Sequence, residues 1–129
     1  MRKIRRLPDA ELEVMMVLWQ AGGPVTSAYV CDHLKNGRDW KITSVLTFLS
    51  RLAEKGFVSV ERSGRSNSYT ALVGESEYRE SEGRRVLGKL FGNSLTAFVA
   101  SLYDSRSIGD EELAELKRYL EENTKEGRP

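Results

Sequence analysis

Apolar residues recur along this chain at helical spacing in separate blocks, broken by glycine-rich and polar joints. In the block Trp40-Lys-Ile-Thr-Ser-Val-Leu-Thr-Phe-Leu-Ser-Arg-Leu-Ala-Glu-Lys-Gly56, Val45, Phe48, Leu49 and Leu52 fall at i, i+3, i+4 and i+7. That spacing predicts one buried helical stripe, with Gly56 as the C-terminal stop. Upstream, Leu12, Met15, Met16 and Trp19 repeat the spacing. They predict a helix over 9–20 with Asp9 as its N-cap, ended by Ala21-Gly-Gly-Pro24. Val25-Thr26 opens a second, short helix with Thr26 as cap and Val30, Cys31 and Leu34 inward. Asn36-Gly-Arg-Asp39 reads as a turn into the third helix. After Gly56, residues 57–62 and 68–72 read as two strands. The turn between them spans 63–67, where Gly64 and Asn67 can supply positive φ. Three helices and a basic hairpin form the order of a winged helix-turn-helix. Its expected core is Leu12, Met16, Trp19, Val30, Val45, Leu49 and Leu52.

Beyond Val73 the pattern changes. Residues 75–91 are charged and helical in period, with Tyr78, Val86, Leu87, Leu90 and Phe91 as apolar members. Gly83 and Gly88 weaken that helix by roughly 1 kcal/mol each relative to alanine. Gly92-Asn-Ser94 is a break and a cap. Leu95, Phe98, Val99 and Leu102 make another stripe, and Leu113, Leu116 and Leu120 form the edge of a last helix begun by Asp110-Glu-Glu112, where acid suits the macrodipole. Helices this short cannot bury three such stripes by themselves. A second copy of the segment would, so Leu90, Phe91, Leu95, Phe98, Val99, Leu102, Leu113, Leu116 and Leu120 are the expected dimer contact. The expected fold is mainly α with a small β-hairpin wing: a winged-helix DNA-binding domain over 1–73, and a C-terminal helical dimerisation segment over 74–129.

Charge sharpens this division. The net charge is only +1, yet residues 1–73 carry 11 Lys/Arg against 7 Asp/Glu while 74–129 carry 9 against 12. A basic first half fits contact with nucleic acid. On the third helix the polar side holds Lys41, Thr43, Ser44, Thr47, Ser50 and Arg51, with no carboxylate before Glu54. A solvated face normally mixes acids with bases; small hydroxyls and cations alone suit phosphates and base edges. Arg62 and Arg65 flank Gly64 near the hairpin tip and add phosphate or minor-groove contacts. Arg2, Lys3, Arg5 and Arg6 are either a further basic arm or a tail.

Other chemistry is poorly represented. The single cysteine, Cys31, has no internal disulfide partner and fits a reducing cytosol. In Cys31-Asp-His33 the neighbouring side chains diverge on a helix, and no second Cys or His pair completes four ligands, so no metal is expected. No glycine-rich phosphate loop, nucleophile elbow or catalytic constellation is present. No cofactor and no enzymatic activity are expected. No apolar run approaches the roughly 20 residues that cross a bilayer, and no signal-peptide core follows the basic start. The expectation is a cytoplasmic protein without membrane insertion. The competing class is a winged-helix adaptor that binds protein without reading DNA sequence.

Taken together, Leu7-Pro-Asp-Ala-Glu-Leu-Glu-Val-Met-Met-Val-Leu-Trp19, the 40–52 block, Glu54-Lys-Gly56, Gly64-Arg65 with Tyr69, and Leu90-Phe-Gly-Asn-Ser-Leu95 resemble the penicillinase-repressor family (BlaI/MecI/CopY type). The resemblance covers residues 7–122. It implies a homodimeric winged-helix repressor with an intertwined helical dimerisation segment. Its partner would be a double-stranded inverted-repeat operator upstream of β-lactamase, antibiotic-resistance or copper-handling genes. On the matching positions the recognition helix is 42–55, with Thr43, Ser44 and Thr47 toward the major groove and Arg51 toward the backbone. The wing is 57–72, with Arg65 at its tip. Copper-type members carry paired cysteines near the C-terminus, which are missing here. Antibiotic-responsive members are inactivated by cleavage of an Asn-Phe bond in the helix that here begins near Asn93, through a membrane sensor protease pathway; this chain has Ala97-Phe98 there. Derepression by proteolysis in the dimerisation segment is the route the resemblance implies.

Overall fold

The computed structural model describes residues 3–34 and 40–124, so the expected turn at 36–39 and the basic residue Arg2 lie outside the described residues. Two compact units emerge, one up to Glu82 and one from Gly83. In the first, three helices, α1 (Asp9–Ala21), α2 (Ser27–His33) and α3 (Ile42–Glu54), precede a hairpin of β1 (Val58–Ser63) and β2 (Ser66–Ala71). A fourth helix, α4 (Glu75–Phe91), begins in this unit and ends in the second, which continues with α5 (Leu95–Asp104) and α6 (Asp110–Asn123). The fold is mainly helical with one antiparallel two-stranded wing, a winged helix-turn-helix.

The first unit owns the core. Val14, Met15, Val30, Val45, Leu49 and Leu52 are fully buried, joined by Leu7, Val17, Leu18, Val25, Phe57, Val58, Tyr69, Val73 and Tyr78. The stripe expected on α1 is corrected. Met16 is 44% exposed, and Leu12 and Trp19 are only partly buried. The side that faces inward is Glu11, Val14, Met15 and Leu18, also i, i+3, i+4 and i+7. Apolar residues surround this helix, so its spacing admits both stripes, and a carboxylate at the head of the true one disguises it. Asp9 is not the N-cap either. Pro8 holds that place without a side-chain hydrogen bond, since proline's fixed φ already sets the chain for a helix start.

Thr26 caps α2 as expected, its hydroxyl accepting from the Tyr29 amide at 3.1 Å. Val25, read as the opening of that helix, instead exchanges two backbone bonds with Tyr69 of β2, at 3.0 and 2.7 Å, and adds a one-residue third strand. A single-residue bridge has no period of its own and cannot be seen in a hydropathy pattern. The hairpin turn is also tighter than expected. Ser63 pairs with Ser66 and Arg62 with Asn67, leaving Gly64-Arg65 as a two-residue loop. Gly64 has φ +65°, as such a loop requires when glycine stands first. Asn67 lies within β2, where its backbone is held by the ladder.

The first turn of α4 closes this core. The Tyr78 ring lies 5.9 Å from those of Trp19 and Phe57, and its hydroxyl accepts from the Leu7 amide at 2.9 Å. The Trp19 indole donates to the Val73 carbonyl at 2.9 Å. The boundary between the two compact units falls inside α4, after Glu82.

Candidate nucleic-acid interface

α3 is held along its inner side and at both ends. Val45, Leu49 and Leu52 have no exposed surface. At the start, the Lys41 carbonyl accepts from Ser44 and Val45 at 3.0 and 3.2 Å, and Trp40 meets Phe48 edge-on at 5.1 Å. At the end, Lys55 donates to the buried Glu11 carboxylate at 2.5 Å. Gly56 then turns the chain with φ +82°. The Phe57 amide donates back to Leu52 at 2.8 Å, and the Leu72 amide to Phe57 at 2.7 Å. Helix and hairpin are thus joined without slack, a requirement for reading a groove at fixed register.

Lys41, Thr43, Thr47, Arg51, Arg62 and Arg65 are all exposed, while Ser44 is half-buried. Lys41, Arg51, Arg62 and Arg65 form no ion pair with a described residue, so their charge is available to an outside anion. Arg62 and Glu61 are neighbours on β1 and point to opposite faces of the ribbon; the acid does not neutralise the base. Arg65 stands second in the two-residue loop. The Thr47 hydroxyl donates to the Thr43 carbonyl at 3.0 Å, a common back-bond in helices. In this rotamer the hydroxyl presents its oxygen outward as an acceptor. The residues missed from the pattern are Ile42 and Leu46, each 41% exposed on this same helix. Ile42 continues the apolar spacing and Leu46 adjoins it, so hydropathy alone assigns both inward.

Cys31 is half-buried, and its thiol is pushed up by burial and by the neighbouring Asp32 charge. It therefore stays protonated at neutral pH. Among the described residues no group of three or more His, Cys, Asp or Glu is placed to hold a metal ion. No helix among them is long and apolar enough to cross a membrane.

The second unit has a different character. Neither α5 nor α6 contains a buried residue. Ser94 caps α5 by accepting from Ala97 at 3.0 Å, and Phe91 packs edge-on against Phe98 at 5.1 Å. The Tyr103 hydroxyl donates to Asp110 at 2.9 Å, and the Gly109 amide to Glu112 at 2.8 Å, fixing the joint between α5 and α6. Leu95, Val99, Tyr103, Leu113, Leu116 and Leu120 line a groove of about 310 Å³. Phe91, Phe98, Val99, Leu102, Leu113 and Leu116 are half-buried; Leu90 and Leu95 are 69% and 52% exposed, and Leu120 is exposed as well.

Residues 7–122 match the model of the penicillinase repressor family. The penicillinase repressor of Bacillus licheniformis is 32% identical over 95% of this chain and 95% of its own length. Among solved structures, the DNA-binding domain of the repressor BlaI is 36% identical with a TM-score of 0.51, covering 60% of this chain and 94% of that one. The monomeric form of Bacillus licheniformis BlaI in complex with the blaP half-operator is also 36% identical, with a TM-score of 0.50 and the same coverage. A family match over nearly the whole length, joined to a winged helix-turn-helix whose third helix exposes no carboxylate before Glu54, gives the conclusion: the chain belongs to the penicillinase-repressor family.

Proposed function

We propose that this chain is a cytoplasmic, homodimeric transcriptional repressor that binds an inverted-repeat operator through α3 and the wing. Thr43, Ser44 and Thr47 lie toward the major groove, Lys41 and Arg51 on the backbone, and Arg62 and Arg65 at the flanking phosphates. The observation that carries the reading is the exposed side of α3, rigidly mounted and free of carboxylates before Glu54. The operator-bound relative supports the same use of this domain. Dimerisation through α5 and α6 is supported by their lack of any buried residue and by the open leucine-lined groove. The regulated gene is of the β-lactamase or antibiotic-resistance type. Derepression follows cleavage in 94–102 by a membrane sensor protease pathway, with no metal or cofactor involved.

Salt dependence of duplex binding tests the central claim. Several phosphate contacts require log K to fall steeply and linearly with log salt, each contact contributing about −0.9 to the slope. Binding that is absent, or flat across salt with no preference among duplexes, would return the domain to the protein-adaptor class.

A further inference from the structure

The outward side of α3 is less polar than its sequence implies. Ile42 and Leu46 stand one turn apart and share a side of the helix, each with 41% of its surface in solvent. Beside them on the exposed part of the helix are Thr43 and Thr47, and the Thr47 hydroxyl donates back to the Thr43 carbonyl. In its first two turns this helix exposes two apolar side chains, Ile42 and Leu46, alongside the two threonines. Single exposed apolar residues are ordinary on a protein surface. Two on consecutive turns, preceded by Lys41 and with no carboxylate on the helix before Glu54, form an apolar patch beside a cation. That combination fits a polyanion that also presents an apolar group. Duplex DNA does so at one place in its major groove, the 5-methyl of thymine. RNA lacks that methyl, and its major groove is too narrow for a helix.

We propose that Ile42 and Leu46 select thymine by packing against 5-methyl groups in the major groove. The inference rests on the DNA-binding reading above and deepens it: base choice at these positions is made by methyl contact rather than by the threonine hydroxyls. The N-terminal half of a recognition helix is the part that reaches base edges, and both residues lie there.

The test uses the full-length protein. A duplex is first selected from a random pool, then resynthesised with deoxyuridine replacing thymidine one position at a time. Pairing is unchanged and only a methyl is lost. At one or more positions the wild type should bind the deoxyuridine duplex about fourfold more weakly, the worth of one buried methyl. Ile42→Ala or Leu46→Ala should bind the parent duplex more weakly and show no further loss with deoxyuridine at the matching position. Wild-type binding that ignores every substitution overturns the methyl reading, whether or not the variants fold. So does a variant that is as sensitive to deoxyuridine as the wild type. In both cases the selected sequence leaves the DNA-binding reading standing. A pool that yields no enriched sequence overturns both.

Discussion

Glu11 occupies the first position of the buried stripe of α1, where a leucine would serve packing alone. Its 2% exposure is tolerable because Lys55, at the end of α3, meets the carboxylate. Removing one partner of a buried pair leaves an uncompensated charge, whereas replacing both with apolar groups is often neutral. Glu11→Ala should therefore lower unfolding stability in urea by about 3 kcal/mol. Glu11→Leu combined with Lys55→Met should recover most of that loss. A double variant as unstable as the single ones would show that the cost arises from packing instead. Arg51 bears on the outward side of the same helix. Arg51→Ala should weaken binding to all duplexes alike and reduce the salt slope by about 1. A change in which sequence is preferred would instead place Arg51 at a base edge. At this scale the sequence was legible where chemistry is unambiguous, as in the Thr26 and Ser94 caps. It was misleading at Met16 and Glu11, because which side of an all-round apolar helix turns inward is decided by tertiary packing.

Among the elements, α3 was readable almost to the residue, since one clean stripe and a terminal glycine leave a single solution. The hairpin was readable in kind but not in register: Asn67 is a good turn former, yet the strand ladder extends through it. Least legible were the contributions of Val25 and of the first turn of α4. Tyr78 stands alone in a charged stretch, and nothing in its spacing signals that Leu7, Trp19 and Phe57 converge on it. This changes where the chain can be cut. A fragment ending at Glu82 should fold, whereas one ending at Val73 should be about 3 kcal/mol less stable, comparable to deleting a buried aromatic side chain. Thermal melts of the two fragments check this, and equal melting temperatures would show Tyr78 to be dispensable. The stripes of α5 and α6 were plain in the sequence, and so was their lack of sufficient company. Val99→Glu should convert the full-length protein to a folded monomer in sedimentation, because a charge placed in the leucine-lined groove must be desolvated on pairing. A dimer that persists would move the contact elsewhere.

At the scale of the whole molecule, the proposed dimer would gain its operator affinity by coupling two weak heads. Holding one head on its half-site raises the effective concentration of the other at the second half-site, and the coupling lasts only while the dimer does. If the contact lies in α5 and α6, each apolar side chain fully buried there contributes about 1.5–3 kcal/mol. A cut near Phe98 divides that stripe: Leu95 stays with the heads, while Val99, Leu102, Leu113, Leu116 and Leu120 leave with the other fragment. The heads should then fall to monomers whose half-site binding is too weak to hold the operator. Ala97 is exposed and Phe98 only half-buried, although the bond there is Ala-Phe rather than the Asn-Phe of the antibiotic-responsive relatives. The expected outcome is that β-lactam exposure of the host produces a shortened fragment as the target gene is induced. Blotting extracts over the time course checks it. A full-length band that persists through complete induction would exclude cleavage and require a signal that acts on the intact dimer.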